Sequence, residues 1–241
     1  MLATSPYLLL QARELGVKRG GKMVVSNADI SISSTGITGL IGANGSGKTS
    51  LVMMLAGLLS PDYGVISLTN AQGEAASRQQ IGLMMQKPVI MRRSVYDNCD
   101  YVLSALNVPA SERQTRIMSG LSLLEIDQYA KQDARTLSSG EQQRMALARV
   151  LMTNPGILLC DEATSNLDPK STQMIETVIM DKAASGLPVL WVTHNLAQLR
   201  RMTQRIIFMQ KGKILADQDT DSFFHAPSCS EAEEYLAYER I

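Results

Sequence analysis

Between an apolar run, Ile37–Ile41, and the helically spaced apolar residues Leu51, Val52, Leu55, Leu58 and Leu59 stands the octapeptide Gly42-Ala43-Asn44-Gly45-Ser46-Gly47-Lys48-Thr49. It fits the pattern G-x-x-x-x-G-K-[ST], and its flanks predict the strand, loop and helix that give that pattern a physical meaning. The glycines let consecutive backbone N–H groups turn inward around an anion, and the start of the helix adds its partial positive charge. Lys48 can then reach the β- and γ-phosphates of a nucleotide, while the Thr49 hydroxyl can ligate Mg²⁺. A glycine-rich connector without a ligand is the bland alternative, and the agreement of motif and flanks argues against it.

Further along, Leu158-Leu159-Cys160-Asp161-Glu162 is an apolar strand ending in two carboxylates. In open α/β folds ligands bind at that edge of the sheet, so Asp161 is expected to hold Mg²⁺ and Glu162 to act as general base toward water. Leu137-Ser138-Ser139-Gly140-Glu141-Gln142-Gln143-Arg144 precedes a helix with an apolar face. Ser138 with Glu141 three residues on reads as a capping box, and such a helix start still leaves N–H groups for a phosphate.

The remaining pattern predicts short strands at Tyr7–Gln11, Val24–Val25 and Ile30–Ile32, then a strand pair at Val65–Leu68 and Ile81–Met85. A helix-compatible region follows from Ser94 to Ala134, then helices at Glu141–Met152, Lys170–Ala184 and Leu196–Met202, with strands at Ile157–Cys160, Val189–Thr193, Ile206–Met209 and Lys213–Ala216. Strands alternating with helices mean a mostly parallel sheet covered on both faces.

Composition removes several classes. With 45% apolar and 19% charged residues the 241-residue chain is globular, and a formal net charge of zero gives no bulk reason to expect nucleic acid as a partner. Cys99, Cys160 and Cys229 lie too far apart for a disulfide framework or a zinc site and suggest a reducing compartment. Met1–Leu10 lacks the marks of a signal peptide, and no segment is apolar enough to span a membrane, so another chain is expected to cross it.

These motifs, in this order, resemble the ATP-binding cassette of ABC ATPases: Walker A, a signature (LSSGE where the family has LSGGQ), and Walker B. The resemblance covers nearly the whole chain. It implies an α/β fold of the P-loop NTPase, RecA-like type, with an N-terminal antiparallel β subdomain and an inserted helical subdomain. The expected division is residues 1–86 and 136–221 for the nucleotide-binding core, 87–135 for the helical part and 222–241 for the tail. It implies ATP and Mg²⁺ as cofactors, with Gly42 to Thr49 and Ser50 around the nucleotide. It further implies Gln86 as the Q-loop residue contacting Mg²⁺ and water, Asp168 in a D-loop (Ser165-Asn166-Leu167-Asp168), and His194 as the switch histidine at the γ-phosphate.

Three residues depart from the family pattern. Ser139 stands for glycine and Glu141 for glutamine, with Ser138 and Gly140 kept, and Arg19 occupies the place of the aromatic that stacks on adenine, where a guanidinium can also stack. In the family two cassettes face head to tail, each ATP lying between the Walker A of one and the signature of the other. The resemblance thus implies a homodimer on the cytoplasmic face of a membrane, bound to an integral permease and served by an extracytoplasmic solute-binding protein. The stretch after Gln86, Lys87–Asn98, is similar to importer ATPases for oxyanions such as tungstate and phosphate, and the tail Phe223-Phe224-His225-Ala226-Pro227 with its acidic segment to Tyr238 resembles the end of small importer ATPases. A soluble ABC ATPase of iron–sulfur assembly, or one acting on a lipid or lipoprotein complex, is the alternative.

Overall fold

The computed structural model describes residues 8–33 and 36–239, so Tyr7, with which the first expected strand begins, lies outside the described residues. Two strands of eleven residues, β1 (Leu9–Arg19) and β2 (Lys22–Ile32), replace the short pieces read from the sequence. Their pairing is antiparallel, with register shifts between Ala12 and Leu15 and between Leu15 and Val17. Glu14 and Asn27 take φ of 52° and 48° beside these shifts, so the period-two alternation breaks although the strands continue.

β3 (Ile37–Ile41) is buried along its whole length and leads through residues 42–47 into α1 (Lys48–Leu55). The helix stops short of the expected Leu59. Gly57 sits at φ 74°, a left-handed conformation that ends helices, and leaves Leu58 mostly exposed.

β4 (Tyr63–Thr69) pairs with β1, while β5 (Ile81–Met85) pairs with a strand of the other sheet, so the expected strand pair does not form. The turn Asn70–Glu74, held by Asn70, and a capped 3₁₀ turn at Arg78–Gln80 carry the chain from one sheet to the other. After β5 come α2 (Val95–Ala105), α3 (Ala110–Leu123), α4 (Ser139–Leu151) and β6 (Ile157–Asp161). The chain continues through α5 (Pro169–Ala184), β7 (Val189–Val192), α6 (Leu196–Met202), β8 (Arg205–Gln210) and β9 (Lys213–Asp219), and ends with α7 (Thr220–His225) and α8 (Ser230–Glu239).

Two sheets result, a three-stranded antiparallel one ordered β2-β1-β4 and a six-stranded one ordered β5-β6-β7-β3-β8-β9. The larger is parallel from β5 to β8, with β9 antiparallel at one edge. β3, β6 and β7 are buried throughout, the signature of parallel strands covered on both faces. Leu51, Val52, Met54 and Leu55 of α1 pack with the antiparallel sheet and one face of the large sheet, through Leu159, Leu190 and Val192. The opposite face, through Leu158, Cys160 and Trp191, packs with α2 to α5. A third cluster, Phe208, Phe223, Ala232 and Leu236, fixes α7 and α8 against β8.

Candidate functional site

Strand order alone assembles the site. β5, β6, β7 and β3 are successive neighbours and run parallel, so their C-terminal ends share one edge of the sheet. Gln86 follows β5, Asp161 ends β6, His194 stands two residues after β7, and the phosphate-type loop follows β3. This is the edge where an open α/β sheet leaves room for a ligand.

The loop wraps tightly. Gly42 has φ 154°, and a Cβ there would lie 1.9 Å from the Met209 carbonyl oxygen, so no other residue fits. α1 begins at Gly47 with no side chain capping it, which leaves its first N–H groups open to an anion. Lys48 is 6% exposed and folds back, its Nζ donating to Gly42 O at 2.7 Å and Ala43 O at 3.0 Å. Burial pushes its ammonium below the usual lysine range, opposed by the Glu162 and then the Asp161 carboxylates.

Asp161 is buried, and burial raises its carboxyl above the ordinary range. A hydrogen bond from the Thr49 hydroxyl offsets part of this, the charge of Glu162 raises it further, and Lys48 lowers it. A hydroxyl and a carboxylate in contact at the mouth of the loop are hard oxygen donors of the kind Mg²⁺ takes. With the open helix start, they fit a magnesium nucleotide.

Glu162 sits at φ 49°, and its N–H donates to Val192 O at 3.0 Å. One carboxylate oxygen lies 3.5 Å from His194 Nδ1, while the other accepts from Ser165 Oγ at 3.2 Å. Gly42, Ala43, Asn44, Gln86, Glu162 and His194 line one cavity of about 700 Å³. Four residues of α8, Glu231, Glu234, Tyr235 and Tyr238, line it as well, together with Gln210 of β8, a placement that no local pattern announces.

The signature lies elsewhere. Ser138, Ser139, Gly140 and Glu141 open α4 and do not line this cavity. The expected capping box is present, with Glu141 N donating to Ser138 Oγ at 3.3 Å and Ser138 N donating to Glu141 Oε2 at 2.8 Å. Gly140 abuts the D-loop, since a Cβ there would fall 2.3 Å from Ser171 Oγ and 2.8 Å from Asp168 Oδ2. Asp168 itself caps α5 by accepting from Ser171 N at 2.9 Å. Arg19 is at the tip of the β1–β2 hairpin, exposed and apart from the cavity.

One residue of the Leu137–Arg144 segment to which the sequence assigns no role ties these parts together. Gln143, buried on α4, donates from Nε2 to Ala163 O at 2.7 Å, Met85 O at 3.0 Å and Gln86 O at 3.2 Å. A glutamine on a helix face carries no sequence signal for such a role.

Among the described residues no helix is long and apolar enough to cross a membrane. The sequence matches the family described as ABC transporter over residues 25–165. It is 33% identical over 219 residues to the methionine import ATP-binding protein MetN of Bacillus subtilis (strain 168), a stretch that is 87% of this chain and 64% of that relative's length. It is also 33% identical over 206 residues to the tungstate uptake system ATP-binding protein TupC of Peptoclostridium acidaminophilum, covering 85% of this chain and 94% of the relative. A solved structure described as the ATP binding subunit of an ABC transporter superposes with a TM-score of 0.83 at 19% identity, over 97% of this chain and 100% of that one, which places the fold. A family match that runs from before the phosphate loop to beyond the strand-end carboxylates, with relatives at a third identity, makes this chain a member of the ABC transporter family.

Proposed function

We propose that this chain is the ATP-hydrolysing subunit of an ABC importer for a small solute, of the oxyanion class that includes tungstate, molybdate and phosphate. The observation that carries the enzymatic reading is the shared cavity of Gly42–Asn44, Gln86, Glu162 and His194. For import, and for the solute class, the support is the match to TupC over 94% of that protein.

In this reading the triphosphate takes the N–H groups at the start of α1, and Lys48 exchanges the carbonyls of Gly42 and Ala43 for phosphate oxygens. Thr49 and Asp161, with Gln86, would hold Mg²⁺, which would supply charge neutralisation for the phosphates. Glu162 accepts a proton from water as its oxygen attacks the γ-phosphorus and the bond to the β–γ bridging oxygen breaks, giving ADP and phosphate. His194, beside Glu162, orients toward the γ-phosphate. Ser50 follows the cradle, and the base would have to extend beyond the cavity for Arg19, at the tip of the β1–β2 hairpin, to stack on it. Ser138, Ser139, Gly140 and Glu141 of a second copy close over the nucleotide, with Asp168 at the joint.

A second, apolar groove of about 490 Å³ runs between β5 and α2, lined by Ile81, Leu83, Val89, Met91, Tyr101 and Leu106 among others. Val89 is 76% exposed and Tyr101 51%, an apolar surface suited to a helix of the integral permease on the cytoplasmic side of the membrane. An extracytoplasmic binding protein would deliver the solute.

Glu162→Gln tests the proposal. The variant should bind ATP, form a dimer only with ATP, and lose hydrolysis by at least about a hundredfold. A variant that hydrolyses like the parent, or stays monomeric with ATP, refutes the assignment.

A further inference from the structure

Glu176 is an acid in the middle of α5, between Ile175 and Val178, and is only 4% exposed. A carboxylate there is costly unless neutralised, and an apolar residue would pack the position as well or better. It is held by three donors: Arg201 Nε to Oε2 at 2.9 Å, Arg201 Nη2 to Oε1 at 2.5 Å, and Gln198 Nε2 to Oε1 at 2.6 Å. Because a carboxylate only accepts, it forces Gln198 to present its amide nitrogen rather than its oxygen. The same nitrogen then donates to Thr164 Oγ1 at 2.9 Å.

Both ends of this chain of contacts reach the hydrolytic groups. Thr164 is two residues past Glu162, in the tight turn that Ser165 N closes on Glu162 O at 3.0 Å. On the other side, Gln198 N donates to Asn195 Oδ1 at 3.0 Å and Asn195 N donates to Thr193 Oγ1 at 3.1 Å, which fixes the turn carrying His194. The separation of 3.5 Å between His194 Nδ1 and Glu162 Oε1 completes the ring.

We infer that Glu176, Gln198 and Arg201 are positioning residues that lock the loop of Glu162 to the loop of His194, Glu176 acting by fixing the orientation of the Gln198 amide. The inference rests on the reading of Glu162 and His194 as hydrolytic groups. It deepens that reading, since neither Thr164 nor the three network residues line the cavity.

The test uses the full chain and two variants that keep side-chain volume. Thr164→Val removes the acceptor, and Glu176→Gln frees the Gln198 amide to turn over. Each should lower kcat for ATP on the order of tenfold, while the affinity for a fluorescent ATP analogue stays within about twofold. Thr164→Ser, which keeps the hydroxyl, should retain the parent kcat. If Thr164→Val and Glu176→Gln lower the melting temperature yet turn over like the parent, or if nucleotide affinity falls in step with kcat, the network is structural and the inference is wrong. Glu162→Gln run alongside separates the two failures. Hydrolysis surviving in that variant removes the catalytic reading and this inference with it, whereas an inactive Glu162→Gln beside fully active network variants removes this inference alone.

Discussion

Glu141 Oε2 accepts both protons of one serine: the Ser138 hydroxyl at 2.8 Å and the Ser138 backbone N–H at 2.8 Å. The carboxyl is held below the usual glutamate range, first by the backbone N–H and then by the hydroxyl of Ser138, and so stays ionised at neutral pH. In the proposed dimer, where the signature of one copy faces the ATP of the other, the Ser138 hydroxyl is thus already donated and a negative charge stands where the triphosphate would approach. Glu141→Gln keeps the cap geometry and removes the charge. The expected result is hydrolysis raised severalfold and ATP-dependent dimerisation at lower protein concentration, with stability changed by less than about 1 kcal/mol. Unchanged hydrolysis and unchanged dimerisation would show that the carboxylate does not impede closure.

Lys48 is an ammonium held mostly out of water against its own loop, with its charged form disfavoured by burial. Lys48→Ala is expected to weaken ATP binding by at least about a hundredfold, because charge-assisted contacts to the phosphates go. The melting temperature should hold or rise in the nucleotide-free chain, since a desolvated charge has been removed. Calorimetric titration with ATP and a thermal melt without it check both halves.

The thiols differ sharply in access. Burial pushes Cys99 up to about 12 and raises Cys160 still further above the ordinary thiol range, while Cys229 is half-buried near the start of α8. Reactivity follows the thiolate, so a disulfide reagent should titrate one group per native chain quickly and all three only in denaturant. Fast reaction of a second thiol in the native protein would mean that α2 or the central sheet opens readily.

Acid stability follows from the caps. Asp133 is held at about 2 by the Arg135 side chain and backbone, and hydrogen bonds from Ser171 and Ser222 hold Asp168 and Asp219 below their ordinary value of 3.8. In each case the unfolded chain binds the proton more readily, so this stability is present above 3.8 and is lost as pH falls toward about 2. Asp161, with a raised carboxyl, works in the opposite sense. Because the depressed groups outnumber it, the melting temperature should fall on going from pH 5 to pH 3; a flat profile across that interval contradicts the cap assignments.

How much of this could be read beforehand depends on range. The phosphate loop, the end of β6 and the cap of α4 are local patterns, with the chemistry and its scaffold within a few consecutive residues, and they stand in the structure where the spacing put them. Bulges hid the length of β1 and β2 because one inserted residue shifts the alternation. Glu176 on α5 reads as one more solvated helix charge, and only the packing of α6 turns it inward. Likewise, the acidic tail gives no hint that Glu231 and Glu234 face the same cavity as Glu162.

Gln143 has a mechanical consequence. From α4, one amide nitrogen donates to the carbonyls of Met85 and Gln86 at the end of β5 and of Ala163 just past β6, so moving α4 away from that edge would break three hydrogen bonds together. Any shift of that helix is thereby felt on two neighbouring strands at once, at Gln86 on one and, through Ala163, at the residue beside Glu162 on the other.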